Sequence, residues 1–306
     1  MTELSVPTPD GRQLEVRDTG PRDGLPLVFH FGTPQGAAPF GILERPAVER
    51  DLRLISYSRP GYGRSTPRAD AATATVADDA FDVAAILDHL GLGEFITLGW
   101  SGGGPRALAC AATLPDRCLA ATAGVSVAPA AEFDGDIRDG MGAENVAEYT
   151  AALAGREALE KFLTEEGSAL FSLRGEDVAE ALGDLAPPVD RAALTGELAE
   201  VMAATARAAG RQGVRGWLDD DLTHIRPWGF DLGAITVPVS IWQGTEDRMV
   251  PFAHAQWLAA NVAGARAHLV QGEGHLSLLM KMDVILDDLL DLAGRSDLKP
   301  GRTGLR

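Results

Sequence analysis

Five residues in the first third of the chain, Gly99-Trp100-Ser101-Gly102-Gly103, have the types and spacing for nucleophilic chemistry. They read G-x-S-x-G and lie between a short apolar run, Glu94–Leu98, and a helix-like run, Pro105–Leu114. A serine on a tight strand-to-helix turn is pushed out of the sheet, and the crowded turn needs small neighbours. Gly99 and Gly103 supply them. The helix that follows aims unpaired N–H groups and a positive dipole end at a developing oxyanion.

A serine hydroxyl is a weak nucleophile until a base takes its proton. Of the six histidines, His275 is best placed, in Gly272-Glu273-Gly274-His275 after one predicted strand and before the last predicted helix. His89 lies in a helical pattern, His268 in a strand and His254 at a helix start, which are structural settings. The base needs a carboxylate to fix its tautomer and stabilise its charged form. Asp247 is the candidate, in the turn Gly244-Thr245-Glu246-Asp247-Arg248, with Glu246 as its rival. Adjacent turn residues point differently, so only one of the two faces the histidine.

Acyl chemistry also needs two backbone donors for the oxyanion. One is the amide after the nucleophile, Gly102. The other comes from the loop Phe31-Gly32-Thr33-Pro34-Gln35-Gly36, where Gly32 permits an unusual backbone, Pro34 stiffens the chain and the Thr33 N–H can point inward. His30 is expected to brace that loop rather than line the pocket, and Phe31 and Trp100 are expected to line the substrate pocket.

These residues require a sheet that brings distant loops to one edge. Leu4–Val6 and Gln13–Arg17 flank the turn signal Pro9-Asp10-Gly11 and read as a hairpin. Strand-like runs at Leu25–Phe31, Leu52–Tyr57, Glu94–Leu98, Leu119–Val127, Val237–Trp242 and Ala265–Val270 then alternate with helical patterns at Ala38–Glu49, Ala74–Leu90, Pro105–Leu114, Pro251–Asn261 and Leu276–Leu292. The alternation predicts an α/β fold with a mostly parallel sheet and helices on both faces. Residues 131–226 change texture, rich in Ala, Glu and Asp with few strand candidates. They read as a helical cap inserted into a core of residues 1–130 and 227–293, with 294–306 as a flexible C-terminal tail. Within the cap, Val189–Arg207 puts Leu194, Leu198, Val201 and Met202 on one helical face.

The chain has 306 residues, is 45% hydrophobic and carries a formal net charge of −17. That acidity disfavours nucleic acid and acidic membrane surfaces as partners. No apolar run reaches the ~20 residues of a membrane span. The N-terminal residues lack a signal-peptide pattern, so a cytoplasmic location is expected. Cys110 and Cys118 read as buried small hydrophobes, and no Cys/His spacing suggests a metal site. A small-molecule substrate is the expected partner, no cofactor is implied, and a homo-oligomer stays open.

Together these motifs resemble the α/β-hydrolase superfamily over residues 1 to about 293. The order Ser101, Asp247, His275 matches that fold. Tyr57-Ser58-Arg59-Pro60-Gly61-Tyr62-Gly63-Arg64-Ser65 resembles the glycine-rich structural turn that its families place after the fourth strand. The resemblance implies an eight-stranded sheet, cofactor-free chemistry, Ser101 as nucleophile, His275 as base, Asp247 as acid, and the Thr33 and Gly102 amides as an oxyanion hole. It favours cleavage of an ester, thioester or lactone through an acyl-enzyme. An iminopeptidase-like amidase or a cofactor-free perhydrolase would use the same residues. Proline iminopeptidases carry His-Gly-Gly-Pro-Gly where this chain has Gly32-Thr33-Pro34-Gln35-Gly36. Dehalogenases and epoxide hydrolases of the fold use aspartate at the elbow, where this chain has Ser101. A ligand receptor reusing the fold is the non-catalytic alternative.

Overall fold

The computed structural model describes residues 1–69 and 71–300. Eight strands form one sheet: β1 (Thr2–Pro7), β2 (Gln13–Thr19), β3 (Leu25–His30), β4 (Leu52–Tyr57), β5 (Phe95–Trp100), β6 (Cys118–Gly124), β8 (Val239–Gly244) and β9 (Arg266–Val270). A short β7 (Arg211–Val214) lies outside it. The order is β1-β2-β4-β3-β5-β6-β8-β9. β1, β2 and β4 pair antiparallel, and the pairs from β4 through to β9 are parallel.

Parallel strands covered on both faces read as near-continuous buried runs. β3, β4, β5 and β8 are buried at every position. Successive side chains point to opposite faces. Val28, Ile55 and Ile241 therefore pack under α2 (Asp78–His89), α3 (Gly104–Thr113) and α10 (Phe252–Asn261), through Val83, Leu108 and Leu258. Leu27, Phe29 and Leu98 pack on the other face against α1 (Gly41–Val48) and α11 (Met282–Leu292), through Leu43, Leu286 and Leu289.

Between β6 and β8 the chain forms α4 (Ala143–Ala154), α5 (Arg156–Phe162), α6 (Gly175–Ala181), α7 (Pro188–Ala193), α8 (Gly196–Ala209) and α9 (Arg215–His224). Leu198 and Val201 of α8 join the cluster containing Phe40 and Leu43. Leu159, Trp217 and Leu222 close around Tyr62 of the turn after β4. The helical segment is thereby fastened to the strand-end loops at two places. No helix among the described residues is long and apolar enough to cross a membrane.

Several predicted boundaries move. The Ala74–Leu90 pattern becomes helical only from Asp78, because the Asp78 carboxylate accepts the Thr75 N–H at 2.7 Å and the Ala77 N–H is drawn to the Trp228 carbonyl. The predicted helix Val189–Arg207 is two helices, α7 and α8, broken before Gly196, whose φ of 50° departs from helix. Leu276–Leu292 begins with a 3-10 turn, Ser277–Lys281, before α11. The predicted tail is docked at its start. Ser296–Leu298 forms a 3-10 turn, Leu298 packs on the core and Lys299 Nζ pairs with Asp291 at 2.5 Å. The remainder of that predicted tail, 301–306, lies outside the described residues.

Candidate active site

β3 and β5 run in parallel with His30 opposite Gly99, so the loop after β3 and the turn after β5 leave the sheet side by side. Ser101 occupies that turn with φ 56°, a left-handed conformation that costs a non-glycine residue about 1–3 kcal/mol. The surroundings enforce it. A Cβ on Gly99 would collide with the Gly103 carbonyl, and one on Gly103 with the His30 carbonyl. Only glycine fits at both positions, and the single-turn helix Ser101–Gly103 leads directly into α3.

β8 and β9, two and three strands from β5, end together with Gly244 opposite Val270. The Glu246 N–H donates to the Glu273 carbonyl at 2.9 Å, tying the two following loops together. Asp247 turns inward and Glu246 is exposed, which separates the two rivals. Asp247 Oδ1 accepts the Met249 and Val250 N–H groups at 2.9 and 2.8 Å. Its Oδ2 accepts Gln243 Nε2 at 2.8 Å and His275 Nδ1 at 2.8 Å. The carboxylate is thus held on both oxygens, and the bond at Nδ1 leaves Nε2 of His275 as the proton acceptor. Burial disfavours the imidazolium, but the Asp247 charge and hydrogen bond, aided by Asp190, outweigh it and hold His275 above the ordinary histidine value.

Ser101 and His275 line one cavity of about 870 Å³. Among the described residues the Ser101 hydroxyl has no hydrogen-bond partner, so the structure joins Asp247 to His275 and puts His275 and Ser101 on one cavity wall without bonding them. Nucleophile–base contacts are often loose before substrate binds. The cavity is mainly apolar. Phe29, Phe40 and Trp100 line it from the core, and Phe162, Leu170 and Met202 from the helical segment. Trp217 also lines it, whereas Trp228 is buried beside Phe230. Phe31 does not line it, contrary to the sequence expectation. Its ring packs edge-on against Phe29 and Phe40, at 4.9 and 5.7 Å between centroids, and those two rings screen it from the cavity.

Thr33 and Gly102 abut, because a Cβ on Gly102 would run into the Thr33 hydroxyl. Neither amide N–H has an acceptor among the described residues. The Thr33 N–H belongs to the same trans peptide as the Gly32 carbonyl, so the two point in opposite directions. Arg59 fixes that peptide from behind, donating Nη2 to the Gly32 carbonyl at 2.8 Å and Nη1 to the Phe31 carbonyl at 2.5 Å. Arg106 donates to the Gly102 carbonyl at 2.8 Å. Asp220 of α9 joins the two arginines and also accepts Thr33 Oγ1 at 2.7 Å and the Tyr62 hydroxyl at 2.9 Å. Burial alone would raise the Asp220 pKa, but Arg59 and Arg106 hold it well below the carboxylate range.

Sequence reasoning missed this network. Arg59 stood only as part of a structural turn, Asp220 only among the acidic residues of the cap, and Arg106 and His224 were not singled out. His30 is buried within the sheet, meeting Thr97 Oγ1 of β5 at 3.1 Å and the Tyr57 hydroxyl of β4 at 3.3 Å. His254 bridges the Ala128 N–H and the Ile137 carbonyl, and His268 stacks on Trp242. Cys110 and Cys118 are free and buried.

A model of the family described as alpha/beta hydrolase fold matches residues 26–281. A non-heme chloroperoxidase of Streptomyces lividans is 31% identical over 94% of this chain and 98% of its own length. A bifunctional esterase/perhydrolase of Acinetobacter calcoaceticus is 30% identical over 40% of this chain and 44% of its own. A solved alpha/beta hydrolase fold protein from Nakamurella multipartita superposes with a TM-score of 0.65 at 27% identity, covering 96% of this chain and 100% of that one.

Proposed function

Because the chain belongs to the alpha/beta hydrolase fold family, we propose that it is a serine hydrolase cleaving an ester, thioester or lactone of a small molecule. The observation that carries this reading is the buried Asp247–His275 pair on the wall of the cavity that also holds Ser101 on its strained turn. His275 Nε2 takes the Ser101 proton as Oγ attacks the substrate carbonyl. The oxyanion forms against the Thr33 and Gly102 amides. The imidazolium, steadied by Asp247, gives its proton to the leaving oxygen or sulfur, leaving an acyl-enzyme. Water, deprotonated by the same imidazole, then releases the acid and restores the serine. The helices between β6 and β8 act as a cap, and the apolar cavity beneath them favours an apolar acyl group.

A second reading uses the same acyl-enzyme. The similarity to an esterase/perhydrolase supports hydrogen peroxide replacing water in the second step, with the peroxide oxygen taking the acyl group and a peracid leaving.

The test is labelling with a fluorophosphonate, alongside p-nitrophenyl esters of increasing chain length and aminoacyl anilides, with and without peroxide. Wild-type protein should label and turn over esters, and Ser101→Ala should do neither while keeping its thermal midpoint. Labelling that persists in Ser101→Ala would exclude Ser101 as nucleophile. A folded wild type that never labels would favour a ligand receptor.

A further inference from the structure

The acidic residues of the cap mostly face solvent, but Asp190 of α7 is fully buried. It points out of the cap into the loop that carries His275. Its Oδ2 accepts the His275 N–H at 2.9 Å, and its Oδ1 accepts the N–H groups of Leu276 and Ser277 at 2.9 and 2.7 Å. Three successive backbone donors therefore converge on one carboxylate. Two of them, Leu276 and Ser277, open the 3-10 turn Ser277–Lys281, which such a turn cannot satisfy internally, and the third belongs to His275 just before it. Gly274 is part of the same fit, because a Cβ there would run into the Asp190 carboxylate. Ser277 Oγ accepts the Gly274 N–H at 2.8 Å and completes the loop.

Asp247 holds the imidazole at Nδ1, but a ring held at one atom can still swing with its backbone. Asp190 fixes the backbone from which the ring projects. We infer that Asp190 is a positioning residue through which the docked cap sets the catalytic base: its carboxylate locks the His275 loop so that Nε2 faces Ser101. The inference rests on the reading of His275 as base. It makes the cap more than a wall of the substrate cavity, because displacing α7 from the core removes all three hydrogen bonds and frees the loop.

The test is Asp190→Asn, assayed with a p-nitrophenyl ester. Asparagine keeps the size but turns an N–H₂ group toward at least one of the three donors. With the base misplaced by a fraction of an ångström, kcat should fall roughly tenfold to a hundredfold. KM should stay near the wild-type value, because Asp190 does not line the cavity. The rate of fluorophosphonate labelling should fall in step with kcat. An unchanged kcat, or a raised KM with kcat retained, would overturn the inference by making Asp190 only a support for the pocket. If Asp190→Asn does not fold, Gly274→Ala carries the test, since its methyl displaces the carboxylate and should give the same split. Glu197→Gln breaks a different contact between cap and core, the exposed Arg45–Glu197 pair, and should leave kcat unchanged. A kcat loss there equal to that of Asp190→Asn would also overturn the inference, because cap docking in general would then be responsible. A wild type that neither labels nor turns over esters would instead refute the hydrolase reading itself.

Discussion

Arg59, on the turn after β4, and Asp220, in the middle of α9, meet in the interior with Nη2 and Oδ2 2.5 Å apart. The same guanidinium grips two consecutive carbonyls of the loop that presents the Thr33 N–H. Lysine in its place would keep the charge but not the planar fork, so it could not hold both carbonyls and the carboxylate at once. Arg59→Lys should therefore lower kcat by roughly tenfold or more, approaching the loss seen when an oxyanion donor is removed. A kcat within twofold of wild type would show that the loop orients itself. Asp220→Ala addresses the other end of the pair. It leaves Arg59 and Arg106 buried with much of their counter-charge gone, a change that costs about 3–5 kcal/mol. Urea unfolding should read that loss, and a cost below ~1 kcal/mol would mean that water replaces the carboxylate.

Asp247→Asn tests the acid. Two carboxylates, Asp247 and Asp190, raise His275 against the effect of burial. The base must be neutral to act, so wild-type kcat/KM should rise with pH through a value above the usual 6.5 of histidine. Removing the Asp247 charge favours the neutral ring, and the acidic limb should move to lower pH. The shift should be partial, because Asp190 remains. The plateau should drop by up to ~10⁴, because an amide can hold the imidazole in the wrong tautomer. A drop of less than tenfold with an unmoved limb would transfer the role to another carboxylate.

Acid should unfold the protein partly through two histidines. Burial, with Arg59 near His30 and Arg106 near His224, lowers both to about 3 from 6.5. Between those values the unfolded chain takes up protons that the folded chain refuses. Stability from these groups is thus fully present above pH 6.5 and is lost progressively as pH falls toward 3. His224→Gln should remove about one proton from the slope of unfolding free energy against pH in that window. An unaltered slope would mean that His224 is charged or solvated in the folded protein.

The sequence revealed those parts of the site whose constraints are local. Gly99 is demanded by its own turn, where a Cβ would meet the Gly103 carbonyl four residues on, and strand–turn–helix patterning located Ser101. Gly103 is demanded by the distant His30 carbonyl, but the motif spacing still pointed to it. Asp247 and His275 follow strands directly, so placing the strands placed both loops. Long-range partners left no comparable signal. Asp190 and Asp220 lie among many acidic residues on helices, where a solvated face is the ordinary arrangement. Their partners are 85 and 187 positions away, at His275 and Thr33, and only tertiary packing selects them. Phe31 was misassigned for a related reason. Position in the chain put it beside Gly32, but aromatic packing with Phe29 and Phe40 decided which rings reach the cavity.

That packing gives the last prediction, on acyl-chain length. The cavity is large for a small acetyl group, at about 870 Å³, and its walls are mostly hydrocarbon. Each additional buried methylene of the acyl chain is worth ~0.8 kcal/mol, or roughly fourfold in kcat/KM, until the cavity is filled. Activity on p-nitrophenyl esters should rise from acetate toward medium chains. Leu170 lines the cavity from the cap side, and Leu170→Trp should shorten the preferred chain while sparing acetate turnover. Phe31→Leu changes a ring that the cavity does not meet, so it should lower thermal stability and leave the chain-length profile in place. A profile that moves with Phe31 and ignores Leu170 would mean that the acyl group binds elsewhere, on the core side of the Phe29 and Phe40 rings.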